Sequence, residues 1–372
     1  MEKHNPDNER IKWKYFAYLK EARGQNEATV DAVAKALARF EADTKCRDFK
    51  LFQNEQAIAF KKHLSEQNSK TTGEKLSKAT LHSTLGNLKQ FFQWLYREPG
   101  YRSRFRYSDA DYFSLSRKDN RVATAHRVKA YPTLEQVKHV IETMLSGSEI
   151  EQRDRAIVAF TLLTAARDGA IASMKLKHLR LESHSVFQDA HEVKTKFAKS
   201  FPTFFFPVGD DILKIFTDWM NYLRQVKLWG NDDPLFPKTE MVYGKNQKFE
   251  VAGLKREHWS DASPIRTIFK EAFIAAGLTY FNPHTLRNTL TSLGKTICKT
   301  PEEFKAWSQN LGHDKVMTTF SIYGAIEDQR QGEIIRGLGK SKPQESTHPD
   351  VAEFAKAVLD EMAARNELAK LP

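Results

Sequence analysis

Apolar residues recur every three or four positions through the first hundred residues of this chain. Val30, Val33, Ala34, Leu37 and Phe40 form one stripe, and Leu81, Leu85, Leu88, Phe91, Phe92 and Leu95 form another, each interleaved with polar positions. That period is the signature of helices with one face to bury. Asn54 ahead of Glu55-Gln56-Ala57 predicts an N-cap and a third helix to about Glu66, and Trp13 to Glu21 makes a fourth. A bundle of four or five helices follows, with SKTTGEKLSK (69–78) as its most loop-like stretch. Phe91, Phe92, Trp94 and Tyr96 sit at helical spacing, which fits bundle core better than base stacking.

Between about 97 and 131 the pattern fails and the charge becomes one-sided: nine Lys and Arg residues face only Glu98, Asp109, Asp111 and Asp119. The expected division is therefore a helical domain over 1–115, a basic linker over 116–131 and a second domain over 132–340. Arg117, Lys118 and Arg121 are the candidate DNA contacts in the linker, because cations passing along a duplex neutralise phosphates without reading bases. A solvated connector is the plain alternative.

The second domain opens at Pro132-Thr133-Leu134-Glu135-Gln136, where Thr133 and Gln136 have capping-box spacing ahead of Val137, Val140 and Ile141. A helix from about Gln152 to Thr164 leads to Arg167. Short β-type runs then predict three antiparallel strands, Ser185 to Gln188, His191 to Lys194 and Phe201 to Val208. Helical patterns return at Asp210 to Lys227, Pro264 to Ala276, His284 to Ile297 and Pro301 to Leu311. The fold class read from this is mainly α with a small antiparallel β-sheet. After Gly339 a tether, KSKPQES, precedes an amphipathic stripe of Val351, Phe354, Ala355, Val358, Leu359 and Met362. Residues 341–372 are thus expected to dock on a neighbouring protomer or to fold back on their own domain.

Composition changes the picture in one direction. The 372 residues carry 58 Lys and Arg against 47 Asp and Glu, a net charge of +11, and the pI is near 9.3. That balance favours a polyanionic partner such as nucleic acid. Cys46 and Cys298, far apart, indicate neither a disulfide framework nor a zinc site. The charged N-terminus, MEKHNPDNERIKWKY, and the lack of any long apolar run lead to the expectation of a cytoplasmic chain with no membrane partner.

Candidate chemistry lies between Arg167 and Tyr323. The contexts are TAARDGA around Arg167, EVKTKFAKS around Lys194, PHTLRNT with His284 and Arg287, and LGHDKVMTTFSIYG with His313 and Tyr323. Cleaving a phosphodiester with a side-chain hydroxyl needs cationic donors on the non-bridging oxygens, a proton acceptor for the hydroxyl and an acid for the leaving oxygen. Arg suits the first task, since its planar fork donates two parallel hydrogen bonds and keeps its charge. His284 and Arg287, three positions apart, share a face if their segment is helical. Gly312 suits a helix end that presents His313. Tyr323 follows His313 by ten positions and is the only tyrosine after Tyr280. A phenol titrating near 10 needs a neighbouring base and cations to attack at neutral pH. Lys194, at a strand-to-turn junction shared with Lys196 and Lys199, is the candidate acid.

These segments resemble those of the tyrosine recombinase (phage integrase) family across roughly residues 10 to 340. The resemblance implies an N-terminal core-binding domain, a catalytic domain, and a C-shaped clamp round double-stranded DNA. It implies that Tyr323 attacks the scissile phosphate to form a 3′-phosphotyrosine while Arg167 and Arg287 hold the phosphate. Lys194 would protonate the 5′-hydroxyl, and His284 would accept the tyrosine proton with His313 in support. It further implies a tetramer on DNA, room for accessory DNA-bending proteins, and neither cofactor nor metal. The expected activity is site-specific recombination, for integration or excision of a mobile element or a related rearrangement. Ala170 stands where family members usually carry an acidic residue, Asn288 stands in place of a frequent His, and the His313 to Tyr323 interval is one residue longer than usual.

Two other readings stand beside this one. A type IB topoisomerase uses similar residues to relax supercoils, and a DNA-binding protein could keep the fold without the chemistry. Other chemistries fail on spacing: neither HExxH nor GxSxG is present, and GLGKS misses a P-loop because Ile334 stands where the first glycine is needed.

Overall fold

The computed structural model describes residues 4–69, 73–125, 130–195, 199–244 and 248–312. The chain divides into two compact units, Met1–His126 and Arg127–Pro372.

In the first unit, α1 (Pro6–Ala17), α2 (Glu27–Asp43), α3 (Asn54–Glu66) and α4 (Lys78–Leu95) carry the apolar stripes. Asn5, Asn26 and Ser77 cap three of them by accepting backbone N–H groups of the first turn. The first helix begins well before Trp13, because Asn5 and Pro6 form a stronger start signal than the apolar spacing that follows. The cap of α3 is Gln53 rather than Asn54, with the Gln56 side chain accepting from the Gln53 N–H at 2.9 Å. The stripes meet in an aromatic core: Phe40, Phe60, Phe91, Phe92 and Phe113 are fully buried. Phe40 makes edge-to-face contacts with Phe60, Phe92 and Phe113 at 5.3–5.6 Å, an arrangement that adds about 0.5–1.5 kcal/mol per pair to the burial itself. Trp94 and Tyr96 pack against that core, so the aromatic run is structural.

The segment expected as a linker from 116 onward differs from that expectation. Ser116 caps a further helix, α5 (Arg117–Thr124), which lies along α4 and is pinned there by the Lys78–Asp119 ion pair at 2.8 Å. The helix buries no residue of its own, which is why apolar spacing did not announce it.

The second unit is built round α7 (Glu149–Thr164), whose residues Ala156 to Thr164 are all buried. Before it comes α6 (Leu134–Thr143), with the expected capping box between Thr133 and Gln136. After it come the single turn α8 (Asp168–Ile171) and an antiparallel sheet of β1 (Leu179–Arg180), β2 (Ser185–Gln188) and β3 (Phe201–Phe204), in that order. Residues 191–194, expected as a strand, form a turn instead. Asp189 takes them out of the ladder: its side chain accepts the His191 N–H at 2.9 Å and its carbonyl the Val193 N–H at 2.7 Å. The third strand is supplied by β1, paired Leu179 to Val186. The outer edge of β3 is blunted by Pro202 and by Asn310, whose side-chain amide bonds both the N–H (2.7 Å) and the carbonyl (2.8 Å) of Phe204.

Next in the chain are α9 (Asp210–Asn221), extended by one wider turn to Val226, and a second antiparallel pair of strands that spacing had not revealed, β4 (Lys238–Tyr243) and β5 (Phe249–Lys255). Its base is tied to α7 where Arg153 donates to Pro237 O and Thr239 Oγ1, both at 3.0 Å, and Glu149 accepts the Leu254 N–H at 2.9 Å. The described part of the unit closes with α10 (Ser263–Ala275), α11 (Leu286–Ile297) and α12 (Pro301–Asn310). Among the described residues, no helix is long and apolar enough to cross a membrane.

Candidate active site

The end of α7 delivers Arg167. Thr164 accepts the Ala166 N–H at 3.2 Å, and Ala165 ends the helix in the left-handed region at φ 52°, a conformation costing a non-glycine residue about 1–2 kcal/mol. Arg167 follows as the extended residue at the start of α8, half-buried.

Arg287 arrives from α11, in the first turn after the 3-10 segment Pro283–Thr285 that carries His284. Its side chain is 5% exposed. One guanidinium nitrogen donates to Ala165 O at 2.8 Å, and another to Leu311 O. Arg287 therefore crosslinks two chain ends, the one that leads into Arg167 and the one that leads toward His313. Burial pushes its pKa down to about 9, and the neighbouring charge of Arg167 pushes the same way. Among the described residues no carboxylate lies within ion-pair distance of Arg287. Among the described residues carbonyl oxygens are the only hydrogen-bond partners of the Arg287 guanidinium, and two like charges held close with one of them buried make this a candidate anion site.

The place of Ala170 explains the missing carboxylate there: it is 1% exposed, inside the apolar core. Asp168, the nearest acid in sequence, pairs instead with Arg266 at 2.6 Å and accepts the Gly169 N–H at 2.9 Å. It fixes α8 to α10.

Lys194 lies in the turn between β2 and β3, exposed. Its N–H donates to Ser173 Oγ at 2.9 Å and its ammonium to Ser260 O at 3.2 Å. The Lys194 carbonyl passes 3.8 Å from the position a Gly169 Cβ would occupy, so this turn abuts the segment that opens with Arg167. His258 is in the same neighbourhood; burial pushes its imidazole pKa down, and the charges of Lys175 and Lys194 add to the effect.

His284 is exposed, its N–H donating to Asn282 Oδ1 at 3.0 Å. Arg117, Lys118 and Arg121 are all exposed on α5 in the first unit. Gly312 ends α12 at φ 67°, as its candidate role requires, and a Cβ there would fall 2.7 Å from the Phe201 ring. His313, Tyr323 and residues 341–372 lie outside the described residues. The described part of the site thus joins Arg167, Arg287, Lys194 and the His284 turn in one unit. Ser173, Ser260, Arg266 and the carbonyls of Ala165 and Leu311 were not legible as supports, because each acts from a distant point in the chain.

Comparison with known proteins gives a consistent picture. Residues 132–330 match the model described as the Phage integrase family. The chain is 25% identical over 324 residues to "Tyrosine recombinase XerC" of Lactobacillus leichmannii, covering 85% of this chain and 94% of that protein. It is similar in fold to a lambda integrase (75-356) dimer bound to a COC' core site, at TM-score 0.56 and 14% identity over 91% of this chain and 99% of that one. It is similar also to the XerH site-specific recombinase bound to palindromic difH substrate, at TM-score 0.56 and 18% identity over 88% and 85% of the two chains.

Proposed function

Because this chain belongs to the phage integrase family of tyrosine recombinases, enzymes that cleave and rejoin DNA, we propose that it recombines specific sites through a 3′-phosphotyrosine on Tyr323. The observation that carries the proposal is the pairing of Arg167 with a buried Arg287 that has no carboxylate partner among the described residues. A scissile phosphate supplies the missing charge. In that arrangement both guanidinium groups hold the non-bridging oxygens, and Lys194 swings from Ser260 O to the departing 5′-oxygen. His284 takes the phenol proton, with His313 supporting it. The ester conserves the energy of the broken bond, so rejoining is the reverse of cleavage.

The domains we propose are a core-binding unit with α5 on the phosphate backbone, a catalytic unit, and a C-terminal segment from 341 that docks on a neighbouring protomer. Structures of a lambda integrase tetramer bound to a Holliday junction and of a lambda integrase dimer bound to a COC' core site support assembly of several copies on DNA, and those of XerH bound to difH support DNA as the partner. The biological task we favour is integration or excision of a mobile element.

The test starts by selecting a binding duplex from a random-sequence library with the full-length protein, then nicking it near each candidate scissile phosphate. Wild type forms a denaturant-resistant adduct on the nicked duplex, and Tyr323→Phe binds it equally well without one. Absence of any adduct from wild type would establish a binding protein that keeps the fold without the chemistry.

A further inference from the structure

The turn that carries Lys194 is anchored two residues earlier. Glu192 Oε2 receives His178 Nε2 at 2.9 Å, and Oε1 receives the ammonium groups of Lys177 at 2.8 Å and Lys175 at 3.2 Å. His178 is 5% exposed, and its Nδ1 accepts the Lys175 backbone N–H at 3.0 Å. With Nδ1 engaged as acceptor, the imidazole proton resides on Nε2 and is donated to Glu192. The donors from Lys177, His178 and Lys175 hold the Glu192 carboxyl down at about 2.

Exposed ion pairs of this kind contribute about 0–1 kcal/mol to stability, so stability alone does not account for a buried histidine aimed at a surface carboxylate. Position does. Val193 is buried, Lys194 N–H is held on Ser173 Oγ, and Glu192 is held on His178, so each of three consecutive residues has its own anchor.

We infer that Glu192, seated on His178, is a positioning residue that presents Lys194 to the leaving oxygen. The inference rests on Lys194 acting as the proton donor in strand cleavage. With Glu192 anchored, the four rotatable bonds of the lysine suffice to carry its ammonium from Ser260 O to the substrate while the backbone stays put. With the anchor gone, the turn shifts, and a displacement of about 1 Å at a reacting group costs on the order of 10² in rate.

Single-turnover cleavage of the selected, nicked duplex tests this, using that duplex with either oxygen or sulfur as the bridging 5′ atom of the scissile phosphate. A thiolate leaves without help from an acid, so sulfur erases any defect that acts through proton donation. Lys194→Ala should slow the oxygen substrate by about 10²–10⁴, and Glu192→Gln by roughly tenfold to a hundredfold. Both should approach the wild-type rate on sulfur, with the melting temperature of Glu192→Gln unchanged. A Glu192→Gln enzyme that cleaves oxygen at the wild-type rate overturns the inference. So does one whose defect persists on sulfur while Lys194→Ala is rescued. If Lys194→Ala is not rescued either, the assignment of Lys194 as acid fails first.

Discussion

Arg287→Met should cost the enzyme its chemistry and leave its fold nearly as stable as before. Moving the guanidinium pKa from its usual value to about 9 corresponds to an adverse term of about 5 kcal/mol, at about 1.4 kcal/mol per tenfold change in affinity for the proton. The sign follows from the charge type. A base whose folded pKa is lowered binds its proton less tightly when folded, so the penalty is fully present below pH 9 and lessens only as the pH rises through 9 toward the ordinary guanidinium range. Against it stand the hydrogen bonds to Ala165 O and Leu311 O, each about 1.5–3 kcal/mol for a charged donor. The two sums nearly cancel. Methionine removes both, fills much of the volume, and should change unfolding free energy by no more than about 2 kcal/mol. Cleavage should fall by about 10²–10³, as for loss of one oxyanion donor. Urea unfolding at pH 7 and single-turnover trapping measure the two effects. Millimolar sulfate adds a further readout, since it should raise the wild-type melting temperature and leave Arg287→Met unmoved. A loss above about 4 kcal/mol in the variant, or equal sulfate shifts in both proteins, would refute the reasoning that a catalytic anion site is stored here at the expense of stability.

Other outcomes follow from the same structure. Gly312→Ala places a methyl 2.7 Å from the Phe201 ring at φ 67°, which should destabilise by about 2–4 kcal/mol and slow cleavage through the chain leading to His313; an unchanged urea midpoint would show that the helix end relaxes freely. Affinity for the selected duplex should drop by about 10³–10⁵ between 50 and 200 mM salt, as for about 6–10 phosphate contacts. A flat salt response would argue against a DNA-encircling mode of binding.

Part of this was legible in the chain without coordinates. The stripes of Val30 to Phe40 and Leu81 to Leu95 announce helices because burial on one side of a 3.6-residue period leaves a repeating mark. Capping residues such as Thr133, and the local contexts of Arg167, His284 and Arg287, are likewise short-range signals. The sequence was blind where the determinant is distant or not periodic. α5 buries nothing and so leaves no stripe. The turn at 191–194 reads as a strand by propensity, yet Asp189 and His178 take it out of the sheet.

The sequence by itself thus determined which side chains we propose to act on a phosphate and in what order they come, because residue type and local spacing are written along the chain. Only the tertiary structure decided that Arg287 is buried beside Arg167, that Ala165 and Leu311 hold it there, and that Asp168 serves Arg266 instead. Those partners lie 122, 24 and 98 positions apart. Packing brings them together, and no local pattern records it.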